Sequence, residues 1–60
     1  MARVILHALF EEKPDGEIRH CGWVGPIQEE ARQWVREMQG CFPDCRHWFR
    51  PIERDLQEVQ

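Results

Sequence analysis

The chain has no serine, no threonine and no tyrosine. That absence excludes every hydroxyl-nucleophile mechanism except those using water. Cysteine is sparse and odd in number: Cys21, Cys41 and Cys45. A secreted disulfide framework uses an even set, so free thiols in a reducing cytosol are expected. Long hydrophobic runs are missing as well. The longest, Val4-Ile5-Leu6, ends at His7, far short of the roughly 18 residues of a membrane span. Met1-Ala2-Arg3-Val4 passes straight into a strand pattern without a small-residue cleavage site, so no signal peptide is expected. An excess of positive charge is also lacking. The net charge is −3, whereas dedicated nucleic-acid domains are usually basic. Sixty residues bury only about 60% of their unfolded surface, which leaves little room for an enclosed substrate pocket. Together these absences predict a cytoplasmic, non-membrane, single-domain protein that works through surfaces and edges.

What is present is clear local patterning. Residues 3–12 alternate as a strand: Val4, Leu6, Ala8 and Phe10 on one face, Ile5, His7, Leu9 and Glu11 on the other. Lys13-Pro14-Asp15-Gly16 is a turn. Proline presets φ, aspartate bonds local backbone and glycine accepts positive φ. Residues 17–24 return as the second strand of a hairpin, with a three- or four-residue loop and a candidate bulge at Gly16. The two loop lengths leave two registers open. Either Cys21 and Trp23, or His20 and Val24, share a face with Phe10.

The junction Gly22-Trp23-Val24-Gly25-Pro26-Ile27-Gln28-Glu29-Glu30-Ala31 joins strand to helix. Gly25 suits the N-cap and Pro26 the first helical position. Glu29 and Glu30 place negative charge in the first turn, where the helix dipole favours it. The helix is predicted over residues 26–39, with Ile27, Ala31, Trp34, Val35 and Met38 in one apolar stripe. Gly40 suits the position after the helix, and Pro43 blocks continuation. Residues 46–54 read as a third strand, in which Pro51 marks either a sheet edge or the strand's end. Residues 55–60 form a polar tail. The helix makes the crossover between the second and third strands, which predicts sheet order 2-1-3 with antiparallel neighbours. The expected fold is α+β, β-β-α-β: a single domain over residues 1–54, its helix covering one face of a three-stranded antiparallel sheet.

Gly25-Pro26-Ile27, Glu29-Glu30-Ala31, Trp34 and the closing Trp48-Phe49-Arg50-Pro51-Ile52-Glu53 resemble a pattern in very short phage and actinobacterial β-β-α-β proteins. The resemblance covers most of the chain. It implies the same fold and a phage-type accessory role, and it transfers no active site.

Several constellations bear on chemistry. Cys41, Cys45 and His47, joined by Cys21 or His20, are suitable ligand types for tetrahedral zinc, which would staple a small core. Only one short clip is present, however, and two loop cysteines with a third packed as a small hydrophobe is the simpler reading. A Cys41–Cys45 disulfide would close a tight ring. His7, His20 and His47 lie one on each strand and could form an imidazole row. Arg46, Trp48, Arg50 and Arg54 interleave basic and aromatic residues, as single-stranded nucleic-acid binders do. Against that stand Glu29, Glu30 and Glu37 on the helix. The pairs Cys45–His47 and His20–Cys21 lack an oxyanion hole or a shared face, so no enzyme is expected.

The primary expectation is a non-enzymatic protein-binding module without a cofactor. It self-associates, as a homodimer, through the open sheet face or an edge strand. With Trp48 and Ile52 toward the helix, the open face would carry Ile5, His7, Leu9, His47 and Phe49. The alternatives are a zinc mini-domain on Cys21, Cys41, Cys45 and His47, and a single-stranded nucleic-acid binder on Arg46, Trp48, Arg50 and Arg54.

Overall fold

The computed structural model describes residues 2–55. Its elements are β1 (Arg3–Glu12), β2 (Ile18–Val24), α1 (Gln28–Cys41) and β3 (Arg46–Asp55). The sheet order is β2-β1-β3, and β1 is antiparallel to both neighbours. This is the expected α+β, β-β-α-β arrangement. β3 is an edge strand, so Pro51 costs the sheet no central ladder. The strand runs through Asp55, one residue beyond the expected domain boundary. The rest of the predicted tail lies outside the described residues. Among the described residues no helix is long and apolar enough to cross a membrane.

The hairpin turn follows from its residue types. Gly16 N–H donates to Lys13 O at 2.8 Å, and Lys13 N–H donates to Glu17 O at 2.8 Å. Asp15 Oδ1 accepts from Glu17 N–H at 2.9 Å, and Gly16 has φ 91°. Proline, aspartate and glycine thus each do what their chemistry favours. A second irregularity lies further along. Leu9 pairs with Gly22 and Phe10 with His20, so Cys21 is an extra residue on β2. Gly22 has φ 148°, a backbone region that favours glycine, and it supplies the freedom the bulge needs.

The helix departs from expectation at both ends. It begins at Gln28 with Ile27 as N-cap and no side-chain cap, two residues after the predicted start at Pro26. Gly25 is not the cap. Its carbonyl instead accepts a hydrogen bond from His7 Nδ1 at 2.9 Å, which ties the β2–α1 connection to the sheet. Glu29 and Glu30 remain in the first turn. At the other end the helix continues through Gly40 to Cys41, and Phe42 N–H donates to Met38 O at 2.8 Å. Pro43 forces its predecessor Phe42 out of the helical region, to φ −131° and ψ 72°. The stop is therefore set by proline, and Gly40 stays helical.

Which sheet face the helix covers is the main correction. Odd-numbered β1 residues lie beneath it: His7, Leu9 and Glu11 are 3%, 4% and 5% exposed. Across β3, Glu11 pairs with His47 and Leu9 with Phe49. Trp34 of α1 meets the His47 ring edge-on at 5.7 Å, and Ala31 is fully buried. Trp48 and Ile52 therefore face away from the helix. The core is small and half polar. Ala8, Leu9 and Ala31 are its buried apolar residues, beside buried His7, Glu11 and His47.

Candidate functional site

The exposed sheet face is built from the even-numbered positions of β1 and β3. Register places Phe10 opposite Trp48, Ala8 opposite Arg50, Leu6 opposite Ile52 and Val4 opposite Arg54. β2 adds residues of mixed parity because the extra residue Cys21 resets its alternation. His20 pairs with Phe10 before the bulge, and Trp23 pairs with Ala8 after it. His20 and Trp23 therefore share this face, a combination absent from both regular registers expected above.

The result is a row of rings across all three strands. Trp23 and His20 meet edge-on at 4.9 Å, His20 and Phe10 are tilted to one another at 5.4 Å, and Phe10 and Trp48 lie nearly parallel at 5.7 Å. A line of cations runs along β3 and meets this row at Trp48. Arg46 sits 5.4 Å over the Trp48 ring, and Arg54 sits 5.5 Å over the Trp23 ring. Arg50 lies between them and is exposed. Glu12, the carboxylate β1 sends to this face, pairs with Arg46 at 3.5 Å. Arg46, Trp48, Arg50 and Arg54 are thus brought together as one surface.

The residues expected to line the open face are placed differently. His7, Leu9 and His47 are buried under the helix, Phe49 is half-buried and Ile5 is exposed. Both faces of β1 carry apolar residues, so alternation does not reveal which face the helix takes, and burial of His7, Glu11 and His47 as hydrogen-bonded groups inverts the apolar-inside expectation. No histidine row forms on one face, since His20 is on the exposed side while His7 and His47 are beneath the helix.

His47 is held by a polar chain. One ring nitrogen is 3.0 Å from Glu11 Oε2 and the other 3.0 Å from Gln39 Oε1. Gln39 Nε2 in turn donates to Cys45 O at 2.8 Å and Pro43 O at 3.3 Å. Arg19 adds an ion pair to Glu11 at 3.3 Å. The chain locks the end of α1 and the start of β3 onto the hairpin. Both imidazole nitrogens are engaged, so His47 is available neither to a metal nor as a base for Cys45.

The zinc set is not gathered. Cys21 is exposed at the β2 bulge, Cys41 is exposed at the helix end, and Cys45 is half-buried ahead of β3; all three are free thiols. The Cys41–Cys45 disulfide is therefore not formed. Among the described residues no group of three or more histidine, cysteine or acidic side chains is placed to hold a metal ion. Burial pushes the Cys45 thiol above its ordinary range, and the negative charges of Glu11 and Asp44 add to the effect, against Lys13 and Arg19. A raised value means less thiolate at any given pH, and the thiolate is the nucleophile. Iodoacetamide should label Cys21 and Cys41 first. The Cys45 rate should keep climbing with pH beyond the point where free cysteine levels off. Peptide-resolved mass spectrometry across pH 7 to 10 checks this, and equal labelling of Cys45 at pH 7 contradicts it.

A hollow between the hairpin turn and the α1–β3 loop is lined by Glu12, Lys13, Pro14, Gly16, Asp44 and Arg46. It has mixed charge and lacks the apolar walls of a small-molecule site. Sequence reasoning missed Phe10, His20 and Trp23 as members of the exposed surface. The available signal was Gly22, since a glycine inside a strand pattern often marks a bulge. Comparison with protein-family models, curated proteins and solved structures finds no match to this chain.

Proposed function

We propose that this chain is a non-catalytic binding module that takes a negatively charged partner on its exposed sheet face. The carrying observation is the line Arg46, Arg50 and Arg54 on a face where Glu12 is the only carboxylate among the described residues of the three strands. The rest of the molecule has the opposite character: net charge is −3, and Glu29, Glu30 and Glu37 sit on the helix. An anion is therefore steered to one side. The resemblance to small phage and actinobacterial chains fits an accessory binding role of this kind.

Face-to-face self-association is less well supported. A two-fold contact would bring two arginine lines into one interface with a single carboxylate from each copy, and desolvating unpaired charge is costly. Edge pairing is also blunted. β3 carries Pro51, and β2 is interrupted at Cys21, both devices that discourage strand addition.

Heparin, a polyanion without aromatic rings, tests the reading. The wild-type protein should be retained at low salt and eluted by rising salt. Arg50→Glu with Arg54→Glu should elute with the unretained fraction. Wild-type protein that flows through at 20 mM salt overturns the anionic-partner reading. A dimer on size exclusion that neither salt nor the double variant perturbs, with no heparin retention, replaces it with self-association.

A further inference from the structure

We infer that the anionic partner is a single-stranded nucleic acid, its bases set against Trp23 and Trp48 and its phosphates on Arg46, Arg50 and Arg54. This rests on the anionic-partner reading and adds the chemical class. Three observations carry it. First, the three arginines recur at every fourth residue of β3, with Trp48 and Ile52 at the same-face positions between them. Same-face residues of a strand recur about every 6.8 Å, so the arginines stand about 13.6 Å apart, the scale of two nucleotide steps in an extended single strand. Second, the line of cations along β3 meets the row of rings at Trp48, which stands between Arg46 and Arg50. A simple acidic peptide would need the charges and would have no use for four rings in sequence across the sheet. Unpaired bases offer π-faces to such rings, whereas bases in a duplex are stacked on one another.

Third, each tryptophan at an end of the row already carries a flat cation. The Arg54 guanidinium lies over Trp23 and the Arg46 guanidinium over Trp48. A base is also flat and can occupy the same place on the ring. The displaced guanidinium then swings toward the adjoining phosphate, and the salt bridge from Arg46 to Glu12, at 3.5 Å, opens. The free protein thus keeps its stacking surfaces covered by the groups that later bind the backbone. Trp23, 44% exposed, is the more accessible of the two.

The probes are fluorescein-labelled ten-nucleotide oligo-dT and oligo-rU, a duplex of equal length, and heparin as competitor. Both single strands should bind and quench tryptophan fluorescence. Trp23→Ala should weaken binding by about 5- to 150-fold, the cost of one lost stack, while leaving heparin retention unchanged. The log–log salt slope should be about −2 for three phosphates on a single strand, and Arg50→Glu should reduce its magnitude by about 0.7. Equal affinity for the two oligomers means the shared chemistry suffices; preference for RNA assigns the 2′-hydroxyl a contact. Either supports the inference. Heparin retention without oligomer binding, tighter binding of the duplex, or binding without quenching and without loss in Trp23→Ala overturns it and leaves the anionic-partner reading standing. Loss of heparin retention and oligomer binding together removes both.

Discussion

Glu11→Ala is expected to remove at least a third of the folding stability of this protein. The Glu11 side chain is 6% exposed and the His47 side chain has no exposure. Their contact at 3.0 Å joins β1 to β3 beneath the helix. Removing the carboxylate strands one nitrogen of the buried His47 ring, which packs against Trp34. Deleting one member of a buried pair costs about 3–5 kcal/mol. A domain of this size has about 3–9 kcal/mol in total, at 0.05–0.15 per residue. The loss therefore ranges from about a third of the stability to all of it. The Arg19 contact adds little, because the Arg19 side chain is 58% exposed and solvent screens it. Glu11→Gln keeps an oxygen acceptor for His47 and should retain the fold with reduced stability. Urea unfolding followed by circular dichroism checks the pair; an Ala variant with the wild-type midpoint would show that the polar chain contributes nothing.

That polar chain also explains how far the sequence was legible. Alternation in β1, the Pro14-Asp15-Gly16 turn and the apolar spacing of α1 are local signals, and they led to the correct element order and strand order. The choice of covered face is not local. β1 presents Val4, Leu6, Ala8 and Phe10 on one side and Ile5, His7 and Leu9 on the other, so both faces read as apolar. The decision rests on pairings between distant residues, Glu11 with His47 and His47 with Gln39, which satisfy polar groups in the interior. A hydrophobicity argument counts histidine and glutamate as outward residues and picks the wrong side. The site shows the same division. Arg46, Trp48, Arg50 and Arg54 alternate within one strand and were legible as a set. Phe10, His20 and Trp23 join them only through cross-strand register, and His20 with Trp23 only through the bulge at Cys21.

The face assignment makes its own sharp prediction at Leu9. If Leu9 were on the open face, Leu9→Glu would yield a folded protein with altered association. In the structure Leu9 is 4% exposed beneath the helix, and it is the only large aliphatic side chain buried to that degree among the described residues. Leu9→Ala should cost about 2–5 kcal/mol through lost transfer energy and the cavity left behind. Leu9→Glu should be worse, since a carboxylate would enter a site already occupied by Glu11 with no further cation to meet it. Both variants should lack a cooperative thermal transition or melt far below wild type. Ile18→Glu is the matched control. Ile18 pairs with Glu12 on the other face and is 59% exposed, so its replacement should shift stability by no more than about 0.5 kcal/mol. It should also weaken heparin retention, because it adds negative charge to the binding face. A folded Leu9→Glu beside an unfolded Ile18→Glu would put the helix on the opposite side of the sheet, and the arginine line with its rings would then be core.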